Sequence, residues 1–125
     1  MTSADIAKAA SAAPLAATLQ SRMPAEWETH DRTWMAFPPA NATFGAKGSP
    51  TLERARTAWA TVAQTIARYE PVTVLADPGD LDAARTWLGG GITVIEVPLD
   101  DAWLRDSGPT YTHQADGFLS GVDWG

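Results

Sequence analysis

The stretch PVTVLADPGDLDAARTWLGGGITVIEV, residues 71–97, decides the fold class. Pro71 to Leu75 is rich in β-branched residues and reads as a strand. Asp77-Pro78 is a helix start, with Leu81, Ala84 and Leu88 on one face and Asp82 and Arg85 on the other. Gly89-Gly90-Gly91 closes that helix, and Ile92 to Val97 reads as a second strand. The glycines follow a helix rather than opening one, so they predict a C-cap and turn, not a phosphate-binding loop.

Working upstream, Ser49-Pro50 pairs an N-cap residue with a proline at the first helical position. Leu52, Ala55, Trp59, Val62, Ala63, Ile66 and Ala67 then recur at helical spacing, which predicts a helix to about Tyr69. Asn41 to Gly48 is a polar, glycine-containing loop, and Thr33 to Phe37, closed by Pro38-Pro39, reads as another strand. Two strand–helix–strand passes predict an α/β layered fold. Downstream, Thr110 to His113 and Phe118 to Trp124 predict a hairpin turning at Asp116-Gly117. The first 20 residues hold eight alanines and little other pattern, so residues 1–22 are expected to be a leader and 23–125 the domain proper.

Composition narrows the function classes. The chain has 125 residues, 45% hydrophobic and 19% charged, as expected of one globular domain. Its formal charge of −6 and the lack of a basic patch argue against nucleic acid as a partner. An acidic balance suits a cationic ligand as well as simple solubility. No apolar run approaches the length of a membrane span, and the alanine-rich start lacks the basic region of a signal peptide, so a cytoplasmic protein without a membrane association is expected. Cysteine is absent, which excludes disulfides and a cysteine nucleophile within these residues.

One segment resists a bland reading. Asp100-Asp101-Ala102-Trp103-Leu104-Arg105-Asp106-Ser107-Gly108-Pro109 lies just beyond the carboxyl end of a predicted strand, where α/β sheets bind ligands. From Asp100 to Asp123 there are five acids (100, 101, 106, 116 and 123) against one base, Arg105. A carboxylate can grip a guanidinium through two parallel hydrogen bonds, and an indole can stack on it. The alternative is a solvated acidic loop, with Arg105 paired to an aspartate and Trp103 packed as core. Asp100 and Asp101 side by side could hold a divalent cation, but no further ligands stand at a set spacing. His30 and His113 have no partner motif and read as structural. Trp59 and Trp87 fall on predicted helices and read as core, which speaks against a tryptophan-lined sugar-binding module.

These residues resemble a known family. Met23-Pro24-Ala25-Glu26-Trp27, His30, Trp34 to Pro38 and Glu70 to Val74 are similar to the opening of the agmatine deiminase and bacterial peptidylarginine deiminase family. The stretch Pro98 to Thr110, with its Trp-x-Arg-Asp-x-Gly-Pro core, is the most specific match, and Gly121 to Gly125 resembles the next motif. The resemblance implies a pentein-type α/β barrel of five ββαβ modules, of which this chain would hold one to one and a half. It also implies hydrolysis of agmatine to N-carbamoylputrescine and ammonia, on a route to putrescine, through a thiouronium formed on a cysteine. No metal and no organic cofactor are implied, and a homo-oligomer is expected of the full-length protein. Carried over residue by residue, Asp106 matches a guanidinium-binding carboxylate and Trp103 a tryptophan lining the substrate channel. Asp100 and Asp101 are expected near the pocket, and Arg105 is expected to pair with an acid.

The departure is the missing nucleophile. The family's cysteine and catalytic histidine come later than Gly125, and neither His30 nor His113 matches that histidine. The chain is therefore expected to be an inactive N-terminal fragment of a longer deiminase, marginally stable alone. Two other readings remain: the peptidylarginine branch of the family, and a non-catalytic module that binds guanidinium compounds or a partner chain.

Overall fold

A computed structural model describes residues 21–123 as two compact units. The larger runs from Thr29 to Ser107. In it a three-stranded parallel sheet, in the order β1-β2-β3, is formed by β1 (Thr33–Ala36), β2 (Val72–Ala76) and β3 (Thr93–Glu96). Helix α1 (Pro50–Ile66) crosses from β1 to β2, and helix α2 (Leu81–Leu88) from β2 to β3. The register pairs Met35 with Val74 and Val74 with Val94, so alternate residues of all three strands share a face.

That face carries the main core. Val72, Val74, Ala76 and Phe37 pack with Ala60 and Ala63 of α1, Ala84 and Leu88 of α2, and Ile92. Both helices therefore cover the same side of the sheet. Phe37 is 1% exposed, and truncating it to alanine is expected to cost about 3–5 kcal/mol. Ala36 and Leu75, which alternate to the other face of the sheet, join Phe44, Leu52 and Ala102 in a second, smaller cluster, with Ala55, Trp59, Leu99 and Leu104 packed against it, so α1 contributes to both clusters.

The helix ends follow the expected chemistry. Ser49 caps α1, its hydroxyl accepting from the Leu52 amide at 3.3 Å, with Pro50 at the first helical position. Asp77 caps a short 3₁₀ turn, Pro78–Asp80, that runs into α2. Gly89 ends α2 at φ +79°, its amide donating to Arg85, as a C-cap glycine should.

One face of α1 departs from the expected stripe. Leu52, Arg56, Ala60 and Ala63 are buried, whereas Val62 is 49% exposed and Ala67 is exposed. The helix is rotated so that Arg56 points inward, because a counter-charge waits there. Its Nη2 lies 2.7 Å from Oδ1 of Asp80, its Nε donates to the Pro38 carbonyl at 3.1 Å, and its guanidinium sits 4.8 Å from the Phe37 ring centre. These contacts join α1, the end of β1 and the start of α2.

The smaller unit comprises, among the described residues, 21–28 and 108–123. Strand β4 (Thr110–His113) pairs antiparallel with β5 (Leu119–Val122). The turn spans Gln114 to Gly117, with Gly117 at φ +86° and its amide donating to Gln114, while Asp116 accepts from the Phe118 amide. The second strand is thus shorter than the expected Phe118 to Trp124, and Trp124 lies outside the described residues. Arg22 and His113 exchange two backbone hydrogen bonds of 2.8 Å, adding a bridge beside β4. Arg22 grips Glu28 with two nitrogens, at 2.5 and 3.0 Å, and Glu28 also accepts from the Ala25 amide. Together these contacts hold the Glu28 carboxyl at a pKa of about 2, the Arg22 hydrogen bond first among them. The leader expected over residues 1–22 lies, as far as residue 20, outside the described residues.

Candidate functional site

The segment expected to carry the chemistry forms a single helical turn, α3 (Leu104–Ser107). The Trp103 carbonyl accepts from the amides of Asp106 (3.0 Å) and Ser107 (3.1 Å) and from the Ser107 hydroxyl (3.2 Å). Pro109 follows and cannot extend the helix. The loop before the turn is tied down from two sides. Asp77 accepts from the Leu99 amide at 3.1 Å, and the Asn41 side chain donates to the Asp100 carbonyl at 2.7 Å.

Beside this turn an open cleft of about 180 Å³ runs along β1, the edge strand of the sheet. Trp34, Met35 and Ala36 form one wall, Trp59 of α1 a second, and Ala102 to Asp106 a third. Trp59 and Trp103 meet at 5.2 Å between ring centres with their planes at 64°, and Phe44 packs against both, at 5.7 and 5.9 Å. Trp34 and Trp103 remain 44% and 47% exposed, large indole surfaces that a ligand could cover. The lining of the cleft thus combines tryptophan side chains with one acid, Asp106, and one base, Arg105. Aromatic faces and a carboxylate attract the same kind of ligand, a planar cation.

Two of the four anticipated site residues are brought together here: Trp103 and Asp106 both line the cleft. Asp100 and Asp101 stand just before it. The Asp101 carboxylate accepts from the Ala102 amide at 2.7 Å, a loop-shaping contact, and Asp100 takes part through its backbone carbonyl. Among the described residues no group of three or more His, Cys, Asp or Glu side chains could hold a metal ion. No helix among them is long and apolar enough to cross a membrane.

Sequence reasoning missed Trp34 and Trp59 as walls of the cleft. Trp34 was hidden in a continuous apolar run, and Trp59 in the helical stripe that marked it as core; it is half-buried and does both. Asn41, Phe44 and Asp77 lay in segments read only as loop or cap. His30 stands near the start of β1, its Nδ1 3.4 Å from the Glu70 carboxylate, which also accepts from the Thr33 hydroxyl. That hydroxyl, more than His30, holds Glu70 below the usual carboxylate range.

Comparison with known proteins gives the family and the fold. The family of Porphyromonas-type peptidyl-arginine deiminases matches residues 22–125. An agmatine deiminase of Pseudomonas aeruginosa (strain LESB58) is 49% identical over 105 residues, covering 83% of this chain and 27% of that protein. A Streptomyces coelicolor protein with a provisional agmatine deiminase name is 50% identical over 103 residues, 82% of this chain and 30% of its own. The solved agmatine deiminase of Enterococcus faecalis superposes with a TM-score of 0.76 at 30% identity, over 86% of this chain and 28% of that one. The chain therefore spans less than a third of the length of these relatives and shares the α/β fold of the solved one over that part. With the match running through both the β1 region and the Trp103–Asp106 turn, the chain belongs to the Porphyromonas-type peptidyl-arginine deiminase family.

Proposed function

We propose that this chain is the N-terminal part of a guanidine deiminase that hydrolyses agmatine to N-carbamoylputrescine and ammonia in the cytoplasm. The observation that carries the reading is the convergence of Trp103, Trp34 and Trp59 with the Asp106 carboxylate on one cleft at the edge of the parallel sheet. Asp106 takes two nitrogens of the guanidinium, and Trp103 covers its face. Holding the substrate as a cation keeps its central carbon electrophilic. In the whole enzyme the sheet and hairpin are the first one to one and a half of five ββαβ modules, with residues 1–22 as a leader.

The nucleophile and the general acid come from the remainder of that protein, since this chain has no cysteine. A thiolate adds to the guanidinium carbon, and the bond to one terminal nitrogen breaks. A histidine protonates that nitrogen, which leaves as ammonia. Water then displaces the sulfur from the thiouronium, leaving the ureido product. Of the two protons released, one returns to the histidine and one goes to solvent.

Titration of the chain with agmatine, with putrescine as control, tests the site. Binding of agmatine in preference to putrescine is expected, because only agmatine carries the guanidinium; equal binding of the two, or none, refutes the reading. The purified chain alone is expected to release no ammonia from agmatine. The name of the matched family keeps a second reading, a peptidyl-arginine substrate, and a C-terminal arginine peptide in the same titration distinguishes it.

A further inference from the structure

We infer that Asn41 is the positioning residue of the cleft, the side chain that sets Trp103 and Asp106 against the aromatic wall. Its role as guanidinium positioner rests on the function proposed above; its role in holding the turn does not.

Asn41 uses both ends of its amide. Its Oδ1 accepts from the amides of Thr43 at 2.9 Å and Phe44 at 2.8 Å. Its backbone exchanges hydrogen bonds with Gly45, at 2.9 and 3.2 Å. These bonds close a tight loop and aim Phe44, 5% exposed, at Trp59 and Trp103. The remaining donor, Nδ2, reaches across 59 positions of sequence to the Asp100 carbonyl at 2.7 Å.

One half of the side chain therefore places the ring behind Trp103, and the other anchors the loop from which Trp103 emerges. The turn needs such an anchor. Helix α3 has four residues and no fully buried side chain; only Leu104, half-buried, packs against the second cluster, so a single turn this short needs further ties to hold its position. A local cap would need only the oxygen; the amide nitrogen serves the distant loop alone. Asn41 touches no part of the cleft surface itself and acts through Phe44 and Asp100.

Substitution separates the halves. Asn41→Ser keeps a short acceptor for the Phe44 amide but cannot reach Asp100. Asn41→Asp keeps both acceptor bonds and turns the donor into a carboxylate facing a carbonyl. Hydrogen exchange of the full chain is the first measurement. Both variants are expected to speed exchange at Ala102, Asp106 and Ser107, while Thr43 and Phe44 keep their protection in Asn41→Asp. Unchanged exchange at Ala102, Asp106 and Ser107 overturns the proposal, whether or not any ligand binds. The second measurement is agmatine affinity, expected to fall about three- to tenfold in Asn41→Ser. In a Trp103→Leu background the same substitution should have little further effect, as coupling through Trp103 requires. An equal loss in both backgrounds overturns the route through Trp103. A wild-type chain that binds no agmatine overturns the function proposed above, and the exchange data then decide the anchoring role alone.

Discussion

Replacing Asp80 with asparagine leaves a buried guanidinium without its counter-charge. The side chains of Arg56 and Asp80 are 7% and 9% exposed, so water cannot take the carboxylate's place without opening the junction of α1, β1 and α2. Removing one member of such a pair costs about 3–5 kcal/mol, because the surviving charge keeps its desolvation penalty. Two features place this pair near the lower end. Nη2 lies 2.7 Å from the carboxylate yet makes no aligned hydrogen bond, so the attraction is chiefly Coulombic. The Pro38 carbonyl and the Phe37 ring also remain as partners for the cation. We therefore expect Asp80→Asn to cost about 3 kcal/mol, a large share of the roughly 5–15 kcal/mol that holds a domain together. Urea unfolding followed by tryptophan fluorescence measures it. The double variant Arg56→Met with Asp80→Leu, which removes both charges and keeps the volume, should recover most of the loss. A loss below about 1 kcal/mol in Asp80→Asn would refute the reasoning, because it would mean that the pair behaves as a solvated surface pair.

Three further outcomes are expected. Asp106→Asn should weaken agmatine binding about ten- to a hundredfold, the worth of one charge-assisted hydrogen-bonding partner, and calorimetric titration reads it. Glu28 is depressed from 4.5 to about 2 in the folded state, so its pairing with Arg22 stabilises the smaller unit fully above pH 4.5 and is lost as pH falls through about 2. An NMR titration of the Glu28 side chain should follow that window, and Arg22→Ala should move its midpoint up towards the ordinary value. Gly45→Ala should destabilise the chain by about 1–3 kcal/mol in urea unfolding. Gly45 has φ +108°, and an added Cβ would meet the capping Ser49 Oγ at 2.5 Å.

Much of the fold was legible because its causes are local. A β-branched run, a Ser-Pro helix start and a glycine stop act within a few residues of themselves, and β1, α1, β2, α2, β3 and the hairpin formed where those signals stand. Trp103 and Asp106 stood out for a different reason, their place in a specific motif, and both line the cleft.

What only the tertiary structure decided involves partners far apart in the chain. Helical spacing puts Arg56 on the apolar face of α1, where a charge alone would not be buried; it becomes a core residue because Asp80, arriving 24 positions later, neutralises it. Val62, on the side of α1 turned away from Arg56, is left 49% exposed. Asn41 reads as a loop asparagine until the loop before α3 folds back to within 2.7 Å of it. Trp34 reads as part of an apolar strand and Trp59 as core until the edge of β1 leaves them beside an open cleft. Periodicity reports which side of an element is apolar. Which charges meet, and which aromatic faces stay uncovered, depends on how the elements are brought together in space.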